Sequence, residues 1–541
     1  MVQRAVLARC GRATIHRVPE VIDRGRRAEQ DSGSSAARID ADDAVPYGTR
    51  LAQLAEERGD ATAVTLVAED GGERQFGWQE LEDRSNQLAR VFVSGGPTMG
   101  QPVAICLKNS VEHLLAGFAG WKVGAVVVPI RWDLPQWERD RVMAVLRPAL
   151  VIDTDSRSLF EESESESSDP LPEVTSPRGW GVCSSGSTGT PKVIMQKGPA
   201  LYPVSTAVTS AVVDSYGPMD PDQRVLCPAP MYHTNGFTAF RTLLHGDPIV
   251  LMERFRAELA LDLVERHRIT GFIAATPMLQ RMAQVADIDD RDLSSLSWVQ
   301  QGAAPLPRWL GERWIGLVGA EHFYMTYGSS EQIGIVACRG DEWLAHPGTV
   351  GRGMGETEVR IVGPDGDTLC SGEVGGIFLR SPTGPLATYV GDDVAPMEET
   401  ADGFHSVGDL GRMDDDGYLY MVDRRVDMIV TGAANVYPAE VEAALSEHPD
   451  IVDVVVVGLR DPEWGRRVHA IVQPADPSLE PASVIAFAKE RLVPYKVPKS
   501  VEFVESIPRT EATKFNRAAL VAEREGPEDD EGPEDSGGSP V

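Results

Sequence analysis

Hydrophobic positions follow two different rhythms along this chain. Across 78–92, Leu81, Leu88 and Val91 recur at helical spacing, which predicts an amphipathic helix. The segments 102–107 (PVAICL) and 124–130 (GAVVVPI) are continuous apolar runs of strand length, and 111–121 between them reads as a helix. Apolar strands alternating with helices predict βαβ units and a parallel sheet. From about 346 the rhythm changes. Short strands at 358–362 and 376–380 are separated by turns such as Pro364-Asp365-Gly366 and Asp416-Gly417, which predicts a small β-barrel or sandwich. Beyond 424 a compact α+β segment follows, with a helix from 438, strands at 452–459 and 468–473, a helix near 483–492 and a strand at 500–504. The expected fold class is therefore α/β. A large N-terminal domain over 46–424 combines parallel-sheet α/β subdomains with a small β-barrel at about 346–424, and a small α+β domain occupies 425–520.

The ends lack such patterning. Residues 1–45 carry several arginines and serines but no apolar run of the secretory kind, and are expected to form a disordered extension. Residues 521–541 hold eight acidic side chains against one arginine, and a disordered acidic tail is expected there. The stretch 161–169 (EESESESSD) reads as an acidic surface loop.

With 42% hydrophobic and 25% charged residues, the 541-residue chain has the makings of a large core, which excludes disorder over most of its length. Six scattered cysteines without a CxxC pair offer neither a disulfide scaffold nor a zinc cluster. A net charge of −31 argues against nucleic acid and anionic membrane partners. No run of about 18 apolar residues exists, so membrane insertion is not expected and a cytoplasmic location is. The basic residues hide a second imbalance: only eight of 51 are lysine, at 108, 122, 192, 197, 489, 496, 499 and 514. In such a chain each lysine is an unusual choice.

One of them closes the strongest local signal, Ser184-Ser185-Gly186-Ser187-Thr188-Gly189-Thr190-Pro191-Lys192, which directly follows the apolar 180–183. A loop dense in glycine and hydroxyls lets backbone N–H groups surround phosphate oxygens while a lysine adds charge. It is not a Walker A loop, because Thr190-Pro191 intervene before the lysine and Val193 follows it. The loop resembles the signature of the adenylate-forming superfamily of acyl-CoA synthetases, adenylation domains and luciferases. Further motifs follow in that family's order: Pro230-Met231-Tyr232-His233, Gly302-Ala303-Ala304-Pro305, 324–331 (YMTYGSSE), Val407-Gly408-Asp409, 423–429 (DRRVDMI) and Pro508-Arg509-Thr510 leading to Lys514. Together they span roughly 46–520.

The resemblance implies a two-step reaction. A carboxylic acid and ATP give an acyl-adenylate and pyrophosphate, and coenzyme A then takes the acyl group, with Mg²⁺ as cofactor. It implies that the small C-terminal domain is mobile. It places Ser184, Ser185, Gly186, Ser187, Thr188, Gly189, Thr190 and Lys192 on the phosphates, and Glu331 with Thr188 on Mg²⁺. Tyr327 would stack on adenine against Gly302, Ala303 and Ala304, with Met325, Thr326 and Ser330 beside it. Asp409 and Arg424 would take the ribose. Lys514 would be the catalytic lysine, acting with Glu331 and Thr188, because a flexible ammonium can reach both the carboxylate and the α-phosphate. His233, Phe237, Phe272, Gly302, Gly328 and Ile333 would line the acyl pocket together with Ile273. Gly236, Ala274, Ala275 and Gly334 would leave room there, which favours a bulky hydrophobic or aromatic acid. Gly432 and Ala433 would border the coenzyme A tunnel.

The chain departs from the family at three places. Val426 stands at the hinge where relatives usually carry Asp or Lys, Ala433-Ala434 replaces a Gly-Glu pair, and Thr513 replaces the glycine before Lys514. Three readings follow: an acid–CoA ligase, an adenylating enzyme that hands the acyl group to a separate carrier or partner ligase, and a non-catalytic nucleotide-binding protein on the same scaffold. A homodimer is left open.

Overall fold

The computed structural model describes residues 43–184, 192–391, 394, 396–424, 427–431, 434–462, 464–509 and 515–525. They fall into two compact units that divide between Val422 and Asp423. The first unit is built on a nine-stranded sheet. Its order is Arg352–Gly353, Ile335–Arg339, Phe323–Gly328, Trp298–Gly302, Gly271–Ala275, Val225–Cys227, Ile249–Met252, Thr62–Val67 and Glu73–Gly77. The six strands from Phe323–Gly328 to Thr62–Val67 are mutually parallel, and antiparallel strands close both edges. Parallel strands need both faces covered, and two apolar clusters do this. One contains Trp121, Phe237 and Phe240, and the other Leu263, Phe272 and Trp314.

A second parallel sheet joins Val126–Pro129, Pro102–Ile105 and Leu150–Ile152, the βαβ unit read from the pattern. Its helix, Val111–Lys122, is capped by Ser110, whose hydroxyl accepts from His113 N at 3.1 Å. The acidic run is shorter as a loop than expected, because the helix Arg157–Ser163 takes up its first residues. Six of the eight strands in 346–424 form a sheet of their own in which Gly375–Arg380 is central, flanked by Glu358–Val362 and Asp409–Met413. A three-stranded antiparallel sheet, Gly181–Ser184, Lys192–Gln196 and Ala387–Val390, carries the residues that flank the glycine-rich loop.

The second unit packs Pro438–Leu445 and Pro481–Arg491 on a sheet containing Ile451–Asp461, Gly465–Pro474 and Ser500–Phe503. Its last helix, Arg517–Glu525, crosses the expected start of the acidic tail at 521. Leu520 is buried there, and Glu525 pairs with Arg460 at 3.1 Å, so local contacts rather than composition set that boundary. No helix among the described residues is long and apolar enough to cross a membrane.

His113 carries a pH dependence. It is fully buried beneath Phe240, and burial holds its pKa down from 6.5 to about 4. The folded chain keeps the imidazole neutral, whereas the unfolded chain protonates it near 6.5. This contribution is therefore complete above pH 6.5 and lost as pH falls toward 4, by about 3 kcal/mol in all. Between pH 7 and 5 the wild type should lose about 2 kcal/mol more than His113→Leu in denaturant titrations. Equal losses in the two proteins would refute this assignment.

Candidate active site

In parallel α/β sheets, ligands collect beyond the carboxyl ends of the strands, and the motifs at 230–233, 302–305 and 324–331 lie at those ends. Trp298–Gly302 and Phe323–Gly328 run side by side, Gln301 opposite Met325, so Gly302, Ala303 and Ala304 leave the sheet beside Thr326 and Tyr327. Buried amides hold this edge. Gln301 Nε2 donates to Ala304 O (2.6 Å) and Thr276 Oγ1 (2.8 Å), and Thr276 donates to Ala304 O and Pro305 O. Gln300 Nε2 donates to Thr326 Oγ1 at 2.9 Å while its Oε1 accepts from Ser210. Ala303 sits at φ +72°, a left-handed conformation costly for alanine and found where a scaffold over-determines a loop.

The next strand end brings the two nucleoside candidates together. Tyr327, almost wholly buried, donates its hydroxyl to Asp409 Oδ2 at 2.9 Å. Beyond it Ser330 shares a hydrogen bond with Thr234 (3.1 Å), and the buried Ser329 hydroxyl has no partner among the described residues. Glu331 is 8% exposed, and its Oε1 accepts from Tyr389 at 2.7 Å. Oε2 accepts from no described residue. Burial, reinforced by the Glu331 charge, pushes the Tyr389 phenol upward, so it stays a donor. Lys192, the first residue of its strand, sets its ammonium 4.6 Å from the centre of the Tyr389 ring. Gln332, at φ +54°, turns the chain directly after Glu331.

Among the described residues no three His, Cys, Asp or Glu side chains converge on a point. One buried carboxylate with an oxygen that accepts from no described residue suits a Mg²⁺ that arrives with nucleotide phosphates. Glu331 therefore fits the role read from its motif.

The acyl-pocket candidates do not all share a surface. His233, in extended conformation, occupies the position before the helix Thr234–His245, and Phe237 one turn later stacks on Trp180 at 4.6 Å. Phe272 faces the other way. Strand side chains alternate, so Ile273 packs against the Phe237 cluster while Phe272 is sealed against Trp314 behind the sheet. Of the two, Ile273 lies on the Phe237 side as expected, and Phe272 does not. Ile333 packs with Tyr327 and Leu379 in the core below the β-region. Gly302 and Gly328 do leave space, since a Cβ at either would meet nothing closer than 3.6 Å. Gly236 and Gly334 do not serve as room. A Cβ on Gly236 would lie 1.8 Å from Pro230 O, and one on Gly334 2.7 Å from Thr357 Cγ2. These glycines permit close packing instead.

Ser185, Gly186, Ser187, Thr188, Gly189 and Thr190 lie outside the described residues, as do the side chains of Ser184 and Arg424. Val426, Gly432, Ala433 and Lys514 also lie outside them. Their neighbours in the second unit are firmly held. Arg509 pairs with Asp453 (2.5 and 2.7 Å) and lies 3.7 Å over the Phe515 ring. Arg517 binds both Glu442 oxygens (2.7 and 2.9 Å) and reaches Asp427, one residue past the hinge position, at 3.4 Å. Burial opposes the Arg517 charge, but Glu442, Asp427 and Asp423 outweigh it and raise its pKa.

The sequence reading missed four residues that build the site. Tyr389 and Thr276 lie in no motif it used, and Gln301 directly precedes one. Asn109 donates to Ala229 O and Met252 O and accepts from Met231 N, fixing the segment that leads to His233. A polar residue between two buried apolar runs was the only signal for it.

Comparison with known proteins shows the family. Residues 51–178 and 182–389 match the family described as AMP-binding enzyme, and 440–514 match the AMP-binding enzyme C-terminal domain. The chain is 32% identical over 461 residues to a feruloyl-CoA synthase of an Amycolatopsis species, covering 81% of this chain and 92% of that protein. It is 30% identical over 487 residues to an indoleacetate–CoA ligase of Aromatoleum aromaticum, covering 82% and 92%. The amide bond synthetase McbA of Marinactinospora thermotolerans superposes with a TM-score of 0.70 at 27% identity, covering 88% and 99%. The chain belongs to the AMP-binding enzymes of the adenylate-forming superfamily, and it is an AMP-forming acid–thiol ligase.

Proposed function

We propose that this chain activates a bulky hydrophobic or aromatic carboxylic acid with ATP and passes the acyl group to coenzyme A. One observation supports the reading above all. Glu331 presents one open carboxylate oxygen on the turn after Tyr327, and Tyr327 is itself bonded to Asp409. In the first step a carboxylate oxygen of the acid attacks the α-phosphorus, the bond to the bridging oxygen breaks and pyrophosphate leaves. Charge spreads over the phosphoryl oxygens, so the protein acts by positioning and neutralisation. Lys192 with the 184–190 loop serves the departing phosphates, Tyr327 with 302–304 the adenine, and Asp409 with Arg424 the ribose. Lys514 serves the reacting oxygens. Mg²⁺ held by Glu331 and Thr188 would supply further positive charge on the phosphates. In the second step the coenzyme A thiol loses its proton, sulfur attacks the acyl carbon and AMP leaves. We assign Gly432 and Ala433 to coenzyme A.

An aromatic acid is supported by the two relatives, named for feruloyl and indoleacetyl groups, and by the apolar cluster that holds Phe237 and Ile273. A panel of acids tests the reading through acid-dependent exchange of pyrophosphate into ATP, with mass spectrometry of products with and without coenzyme A. Exchange with aromatic acids and a thioester product are expected. An adenylate that forms without any thioester would favour transfer to a carrier, or to an amine as the name of McbA suggests. No acid-dependent exchange with any acid would overturn the reading in favour of a binding protein.

A further inference from the structure

The strand Ala387–Val390 joins the two charged groups of the phosphate side. On one edge it runs antiparallel to Lys192–Gln196, with Tyr389 opposite Ile194 and Val390 opposite Val193. Just before and at its start, Leu386 N donates to Gln332 O (3.4 Å) and Ala387 N to Glu331 O (3.2 Å). Tyr389 therefore stands between Lys192 and Glu331 on a backbone that is bonded to both neighbourhoods. Its hydroxyl donates to Glu331, and its ring face carries the Lys192 ammonium. Among the described residues the contacts seen for the two are with Tyr389, not with each other.

An ammonium and a carboxylate that contact one shared phenol, partly out of water, attract each other and would pair if it were removed. A phenol can serve both at once, the anion through its O–H and the cation through its negative ring face. Resting on the acid-activation reading, we propose that Tyr389 is a positioning residue that keeps Lys192 and Glu331 apart. Lys192 stays available to phosphate oxygens, and Glu331 keeps Oε2 open for a divalent cation. The role resembles that of the outer partners of metal ligands, which orient a ligand without touching the metal.

The test uses the full chain and reads cation binding rather than turnover. Mn²⁺ is titrated by electron paramagnetic resonance in the presence of α,β-methylene-ATP, without acid, for wild type, Tyr389→Phe, Tyr389→Leu, Glu331→Gln and the Tyr389→Phe/Glu331→Gln pair. Tyr389→Phe keeps the ring under Lys192 and removes only the hydroxyl, so Mn²⁺ affinity should fall on the order of 10-fold. Tyr389→Leu removes both contacts, lets Lys192 and Glu331 pair, and should bind Mn²⁺ more weakly still. In the Glu331→Gln background the hydroxyl has no carboxylate to orient, and Tyr389→Phe should then change affinity less than about twofold. Wild-type affinity in Tyr389→Phe overturns the proposal, as does an equal loss in both backgrounds, which marks a merely structural role. Unchanged affinity in Glu331→Gln also overturns it. Failure of the activity reading shows separately, as absence of acid-dependent pyrophosphate exchange in the wild type.

Discussion

Lys514→Ala should lower acid-dependent pyrophosphate exchange on the order of 10²–10³-fold while changing ATP affinity little. Negative charge grows at the reacting oxygens only as the new bond forms. A cation aimed there therefore stabilises the transition state far more than the bound nucleotide. The residues on either side of the lysine are tied down: Arg509 by Asp453, Phe515 beneath the Arg509 guanidinium, and Arg517 by Glu442. Lys514→Arg should recover only part of the rate, because a planar fork replaces a compact ammonium. Exchange assays at saturating ATP, with nucleotide affinity measured by calorimetry, check both statements. Exchange within a few-fold of wild type in Lys514→Ala would assign the chemistry to another group.

Lys122→Met should destabilise the first unit by about 3–5 kcal/mol. Lys122 is buried and donates to Glu82 Oε2 and Asn86 Oδ1, both at 2.6 Å, while Asn86 donates back to Glu82 Oε1 at 2.9 Å. Its stem is packed as well, since a Cβ on Gly48 would lie 2.8 Å from Lys122 Cγ. Methionine keeps the stem and removes the charge, which strands Glu82 in a site 5% exposed. Adding Glu82→Gln to Lys122→Met should restore much of the loss by removing the orphaned charge. Denaturation midpoints of the three proteins measure this. A single variant within about 1 kcal/mol of wild type would show the pair to be dispensable.

These two lysines show what sequence could and could not tell. Scarcity marked both as deliberate choices, but it does not separate an ammonium that faces substrate from one that fills a core. Only the carboxylate of Glu82, 40 residues away, reveals the second kind. Elements were legible wherever the apolar rhythm was strong: the helix expected over 78–92 is Trp78–Gly95, and the strand at 102–107 is Pro102–Ile105. Phe272 was misread because a continuous apolar strand does not announce which of its alternating residues faces which layer. Tyr389 was invisible because its bond to Glu331 spans 58 residues and depends on a strand of another sheet. The tail was read from charge alone, which says nothing of the apolar stripe that docks Leu520.

The approach of Gly236 to Pro230 has a practical side. The first turn of Thr234–His245 rests against the 230–231 backbone with no space for even one methyl group. Anyone redirecting this enzyme to other acids would be drawn to a small residue beside His233 and Phe237. A library built there would mostly return proteins whose helix has been levered off its seat, taking the Trp180–Phe237 stack with it. Gly302 and Gly328 differ in this respect, since a Cβ on either would meet nothing closer than 3.6 Å, and added bulk there would not press on the backbone.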